Sequence, residues 1–107
     1  MFLLDNLKNT ADIVTPVVAN GATHVYHLYV VRSKKRDALQ GYLAEKGIGT
    51  LIHYPIPPHR QKALAGIESD KHFPIADEIH NTTLSLPCSF CHTEDEIIEV
   101  IDALNNF

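Results

Sequence analysis

The chain has 107 residues, of which 45% are hydrophobic and 21% charged, and its formal net charge is -4. This composition is typical of one soluble globular domain with a single core. The nine Lys and Arg residues form no concentrated basic face of the kind that phosphate binding needs, so the sequence argues against nucleic acid as a partner.

The first residues carry no export or membrane signal. Residues 1–5 contain no Lys or Arg of the kind that begins a signal peptide, and their apolar run is far shorter than a signal-peptide core or a membrane span. We therefore expect a cytoplasmic protein without a membrane partner. Apolar side chains within residues 2–9 have the spacing of the tail of an amphipathic helix, and no cap precedes them. We interpret residues 1–12 as the tail of a truncated inter-domain helix and residues 13–107 as one domain.

Four segments have the composition of strands. Residues 13–18 are rich in β-branched side chains but contain Pro16, which predicts an edge strand or an extended arm. Residues 24–32 predict a central strand that is covered on both faces. Residues 48–54 predict a further strand, and residues 84–87 predict a short one that a proline ends.

Three helices lie between and after these strands. Residues 33–46 have an apolar stripe that Gly47 ends, and residues 74–82 begin with a proline suited to a first helical turn. Thr93 and Glu96 form a capping box at the start of the last helix. Strands separated by helices predict the α/β (α+β) class, a two-layer sandwich in which helices cover a small mixed or antiparallel sheet.

The run Cys88-Ser89-Phe90-Cys91-His92 has the C-x-x-C-H spacing that attaches c-type haem. Haem attachment of this kind belongs to exported chains, which this sequence does not resemble. A zinc or redox site would need more ligands, or a helix start behind the first cysteine. A free-standing metal-binding or redox module that uses Cys88, Cys91 and histidines is the alternative function. Its possible zinc partners are His53, His59, His72 and His80.

Residues 53–61, which we name the proline loop, read His-Tyr-Pro-Ile-Pro-Pro-His-Arg-Gln and follow a predicted strand. Prolines at a strand end restrain the backbone, so an imidazole and a phenol can be held in fixed positions without the ordering cost of a flexible loop. A binding segment is one interpretation. A rigid surface connector is the other.

Several of these motifs occur together in one known family. Residues 24–32, 36–39, 47–59 and 84–87, with the acidic-capped last helix, resemble the C-terminal part of the DegT/DnrJ/StrS aminotransferases. The resemblance runs in order from about residue 13 to residue 107. It is greatest to enzymes that move an amino group from glutamate to a 3-keto or 4-keto group of a nucleotide-linked deoxysugar, for cell-surface polysaccharides or glycosides.

The resemblance implies a fold-type I enzyme whose N-terminal large domain holds pyridoxal phosphate on a lysine, while a C-terminal small domain covers the active site. The large domain is missing from this chain. The resemblance therefore implies that residues 13–107 are the small domain, inactive and without cofactor or metal when alone. The parent enzyme would be a homodimer. The family's H-Y-P-x-P-x-H segment falls on residues 53–59, which makes His53, Tyr54 and His59 the implied substrate-binding residues.

Overall fold

The computed structural model of the protein describes residues 6–7, 12–67 and 72–107. Two strands and three helices form this part of the chain, with two 3-10 turns between the first and second helices. In chain order the elements are β1 (Tyr29–Arg32), α1 (Arg36–Glu45), the 3-10 turns Pro58–Arg60 and Lys62–Leu64, α2 (Pro74–Thr82), β2 (Thr83–Leu86) and α3 (Glu94–Asn105). The elements confirm the expected small sheet with covering helices.

β1 and β2 pair along their whole length as antiparallel neighbours. An isolated bridge adds one segment at each edge, with Val14 beside Arg32 of β1 and Leu51 beside Ser85 of β2. The order across the sheet is therefore Val14, β1, β2, Leu51, and each contact is antiparallel.

Side chains alternate between the two faces of the sheet, and the inner face carries the core. Val31 of β1 and Leu84 of β2 lie opposite each other and are fully buried. Leu39 and Leu43 of α1 are also fully buried in the same cluster. The stripe that α3 adds to it consists of Ile97, Val100, Ile101, Ala103 and Leu104.

The outer face carries the other set of strand residues. Val30 and Arg32 of β1 stand opposite Ser85 and Thr83 of β2. Glu78 of α2 lies 3.1 Å from the guanidinium of Arg32. Since α2 also runs directly into β2, this helix borders the outer face rather than the core.

The three predicted helices are confirmed, and a capping box and a glycine mark two of their ends. Thr93 Oγ1 accepts the Glu96 N–H at 3.3 Å, and Glu96 Oε2 accepts the Thr93 N–H at 2.8 Å, which completes the capping box. Gly47 has φ +77°, the left-handed conformation that ends α1 at little steric cost for glycine. α1 begins at Arg36 rather than directly behind Ser33.

Two strand predictions were wrong in length. Residues 24–28 precede β1 without joining the sheet. Pro87 follows β2 and has no N–H that could donate the next hydrogen bond between the strands. On the other strand, Tyr26 has φ 50°, which turns the backbone ahead of β1. Of residues 48–54, only Leu51 forms a bridge, because the chain turns into the proline loop at once.

Most of the predicted helix tail, residues 1–12, lies outside the described residues. Leu7 is buried in the core cluster, and the Asn105 side chain donates to the Asn6 carbonyl at 3.4 Å. Within the described ranges, no helix is long and apolar enough to cross a membrane.

Leu84→Ala removes a fully buried side chain from β2 and leaves a cavity in the core. We expect it to lower the free energy of unfolding by about 2–5 kcal/mol, measured by urea denaturation. Leu51→Ala is the matched control, because Leu51 pairs with the same strand but is 65% exposed. The control should cost less than about 0.5 kcal/mol. Equal losses would contradict the assignment of inner and outer faces.

Candidate functional site

The proline loop begins at a fixed point on the sheet. Leu51 and Ser85 exchange both backbone hydrogen bonds, at 3.2 and 2.7 Å. Two residues further on, His53 Nδ1 lies 2.8 Å from the hydroxyl oxygen of Ser85. Ser85 is 4% exposed, so this contact anchors a half-buried imidazole on the outer face. The contact uses Nδ1, so a ligand would meet Nε2.

Tyr54 is held by its backbone and leaves its phenol exposed. His80 Nδ1 of α2 lies 2.6 Å from the Tyr54 carbonyl oxygen. Because a carbonyl can only accept, this nitrogen carries the proton. The Tyr54 side chain is 64% exposed, and its ring meets the ring of His53 edge-on with centroids 5.3 Å apart. An imidazole and a phenol therefore stand side by side with a fixed backbone beneath them.

A bidentate ion pair fixes the C-terminal end of the proline loop. Arg60 Nε and Nη2 donate to the two carboxylate oxygens of Asp77 on α2, at 2.7 and 2.8 Å. His59 Nε2 lies 3.1 Å from Asp77 Oδ1, at ion-pair distance but outside hydrogen-bond geometry. The His59 ring also packs on Phe73, with centroids 4.9 Å apart. The loop is thus attached to α2 at both ends.

The charge of Asp77 depends on this pairing. The Arg60 hydrogen bonds lower the pKa of Asp77 from 3.8 to about 2. Desolvation opposes this shift, and the charges of Arg60 and His59 add smaller lowering contributions. The same contacts raise the pKa of Arg60. Asp77 therefore stays ionised through the whole physiological range and keeps the loop attached.

An open depression of about 490 Å³ lies beside His53 on the outer face. Its polar lining includes His53, Ser85, Cys88 and His92, and apolar side chains such as Leu28 complete it. Concave surfaces that combine apolar walls with a few placed hydrogen-bonding groups are typical of sites for small ligands. Hydrogen bonding and positioning are the chemistry that these groups can offer there.

The three residues singled out by the sequence lie in two different settings. His53 lines the depression and its ring contacts the exposed Tyr54 ring, whereas the His59 side chain turns toward α2 and is 10% exposed. Sequence reasoning missed Asp77 and Ser85, which position the loop from 17 and 32 residues away. One feature of the sequence could have indicated Ser85, since it is a polar residue between two leucines in a short strand.

The Cys88–His92 run is a loop in which neither cysteine forms a disulfide. Cys88 is half-buried and its thiol donates to the Tyr26 carbonyl at 3.3 Å, while Cys91 is exposed. Burial raises the pKa of Cys88. Among the residues that the structure describes, no three His, Cys, Asp or Glu side chains are placed to hold a metal ion. The described geometry gives no support to a metal-binding module.

The model of the DegT/DnrJ/EryC1/StrS aminotransferase family matches residues 2–105. The chain belongs to this family. Among its relatives is the dTDP-3-amino-3,6-dideoxy-alpha-D-galactopyranose transaminase of Aneurinibacillus thermoaerophilus, which is 45% identical over 99% of this chain and 29% of its own length.

Solved structures agree with the fold. The crystal structure of DesV of S. venezuelae, in complex with a ketimine intermediate, superposes with a TM-score of 0.90 and 35% identity over 97% of this chain and 28% of that one. The Bacillus subtilis protein ntda, with bound cofactor PMP, superposes with a TM-score of 0.81 and 25% identity over 98% of this chain and 25% of that one. The chain therefore spans less than a third of these relatives and corresponds to a C-terminal part of them.

Lowering the pH should weaken the attachment of the proline loop. Because the pKa of Asp77 is depressed in the folded state, its contribution to stability is present above its ordinary pKa and is lost as the pH falls from roughly 4 to 2. The urea midpoint of Asp77→Asn should lie below that of the unaltered protein at pH 6, and the gap should close toward pH 2. Glu78→Gln is the control, since that 57% exposed carboxylate should shift the midpoint little at any pH. A gap that does not change with pH would contradict this prediction.

The two thiols should differ in reactivity. The thiolate is the reactive form, and burial raises the pKa of Cys88, so iodoacetamide should alkylate Cys91 several times faster at pH 8. Peptide mass spectrometry measures both rates in one sample. In 6 M urea the difference should disappear. Faster labelling of Cys88 in the folded protein would refute its partly buried, hydrogen-bonded position.

Proposed function

We propose that this chain is the small C-terminal domain of a longer, pyridoxal-phosphate-dependent aminotransferase that acts on a nucleotide-linked keto-deoxysugar. The observation that carries the proposal is the 45% identity, over nearly the whole chain, to a transaminase of a dTDP-linked 3-amino sugar. Within this proposal glutamate is the amino donor, the parent is a homodimer, and the product is a sugar for cell-surface polysaccharides or glycosides. In domain terms, residues 13–107 are the small domain and residues 1–12 belong to the connecting helix.

The cofactor is assigned to the part of the parent that this chain lacks. Pyridoxal phosphate supplies an electron sink for amino transfer and is bound through a lysine with a lowered pKa, which needs a buried pocket. The four lysines of the described ranges, Lys34, Lys35, Lys46 and Lys62, are all exposed. They do not fit that role, so we assign no catalytic residue to this chain and expect it to be inactive alone. A cytoplasmic location goes with the proposal and suits two cysteines that form no disulfide.

The proline loop is proposed to hold the substrate. His53 lines the depression with its imidazole anchored on Ser85, and the exposed Tyr54 phenol stands next to it on a backbone that His80 holds. We assign them contacts with the sugar or the diphosphate, not transfer of the reacting proton. His59 is proposed as a weaker contributor, because its side chain lies against Asp77.

A chimeric enzyme tests the proposed function directly. Residues 1–107 replace the matching C-terminal segment of the Aneurinibacillus thermoaerophilus transaminase, and amino transfer is assayed with that enzyme's own sugar nucleotide. We expect an active chimera. His53→Ala should lower kcat/KM by about tenfold or more, mainly through KM, because a substrate hydrogen bond is lost.

His72→Ala is the matched control, since His72 is an exposed histidine next to α2 and away from the depression. It should leave both kinetic constants unchanged. A chimera that binds pyridoxal phosphate but transfers no amino group would refute the proposed function. Equal effects of the two histidine variants would refute the assigned role of His53.

A further inference from the structure

The loop between β2 and α3 holds both cysteines of the chain, and the proposed function uses neither of them. Cys88 and Cys91 are separated by two residues. The chain turns between them, since the His92 N–H donates to the Ser89 carbonyl at 3.4 Å and the Cys91 N–H donates to the Ser89 hydroxyl at 3.3 Å. A disulfide needs Cα atoms within about 7 Å of each other, which two cysteines at this spacing can reach where the backbone turns.

The two thiols have different surroundings. Cys88 is half-buried against the core cluster and lines the depression beside His53, and this burial raises the pKa of its thiol. Cys91 is exposed on the turn. Thiol–disulfide exchange begins with attack by an accessible thiolate. Cys91 is therefore the thiol that reacts first, and Cys88 is the one that follows.

The position of α3 distinguishes this pair from the centre of a thiol oxidoreductase. Such centres place the first cysteine of the C-x-x-C motif at the start of a helix, whose N-terminus stabilises the thiolate. Here α3 begins at Glu94, behind both cysteines, with Thr93 as its cap. The pair is therefore suited to forming a disulfide within its own loop and not to oxidising other proteins.

The Cys88 thiol connects this loop to the segment that precedes β1. It donates a hydrogen bond to the Tyr26 carbonyl at 3.3 Å. Tyr26 has φ 50°, a left-handed conformation that is unfavourable for a residue with a large side chain. Its own N–H donates to His24 Nδ1 at 2.8 Å, and its ring stacks on Tyr29 with centroids 5.7 Å apart. Because Leu28 of the same segment lines the depression, the thiol helps to hold one wall of it.

We propose that Cys88 and Cys91 form a reversible disulfide bond, and that its formation releases residues 24–28 from the loop and so changes the wall of the depression beside His53. The reason is chemical: a disulfide sulfur carries no hydrogen, so an oxidised Cys88 has nothing to donate to the Tyr26 carbonyl. The oxidant is a low-molecular-weight disulfide such as glutathione disulfide. This property goes beyond the proposed function and does not depend on it.

The oxidation takes place in two exchange steps. The Cys91 thiolate attacks one sulfur of glutathione disulfide, which forms a mixed disulfide and expels one glutathione thiolate. Cys88 then loses its proton and attacks the Cys91 sulfur, which forms the Cys88–Cys91 bond and expels the second glutathione thiolate. The two expelled thiolates take up the two protons that the cysteines lose. Two cysteine thiols are thus oxidised, and one glutathione disulfide is reduced to two glutathione molecules.

Treatment of the folded 107-residue chain with glutathione disulfide tests the bond. Mass spectrometry should find most chains lighter by two hydrogen atoms and closed to alkylation, and reduced glutathione should restore both thiols. Cys88→Ser should stop at a mixed disulfide on Cys91, because no second thiol remains. Cys91→Ser should form its mixed disulfide on Cys88 several times more slowly. A chain that keeps both thiols, stops at the mixed disulfide or links to a second copy would overturn the proposal.

Amide NMR on the same samples tests the release of residues 24–28. Oxidation should shift the signals of these residues, while those of α1, which packs on the inner face, stay in place. Two substitutions at one position give the matched comparison. Cys88→Ala removes the donor and should reproduce these shifts in reducing buffer. Cys88→Ser keeps a donor for the Tyr26 carbonyl and should leave the signals near their reduced positions in both buffers. A disulfide that leaves residues 24–28 unshifted, or identical spectra of the two variants, would refute the coupling.

Discussion

The antiparallel pairing of β1 with β2 is the constraint on which the other elements depend. Val31 and Leu84 meet on its inner face and nucleate the core that α1 and α3 cover. The same pairing sets Ser85 on the outer face, where it pairs with Leu51 and anchors His53. A shift of one residue in register would turn Ser85 into the core and Leu84 out of it, so the core and the candidate site are fixed by one ladder.

The proline loop shows how a surface segment becomes rigid without being buried. Its prolines limit the backbone, Ser85 and His80 hold its start, and the Asp77–Arg60 pair holds its end. Each contact by itself is modest, and together they set the His53 imidazole at the depression with the Tyr54 phenol beside it. Positioning of this kind reduces the entropy lost on binding, which is the physical advantage of a preorganised pocket wall.

The two sides of the sheet have different physical characters. One side has a filled core and a polar helical exterior. The other carries residues 15–28, which form no strand or helix, together with a shallow depression and exposed aliphatic side chains.

The sequence by itself determined the helices, their apolar stripes and the family. Apolar periodicity, the capping box of Thr93 and the glycine at position 47 are local signals, so they can be read without knowing the fold. The sequence also singled out the proline loop through its composition. Only the tertiary structure decided how long the strands are. Each hydrogen bond between the strands needs a donor and an acceptor on opposite strands, and Pro87 lacks the donor. The tertiary structure also decided that His59 turns away while His53 and Tyr54 stand together, because Asp77, His80 and Ser85 act across the fold and no sequence spacing links them to the loop.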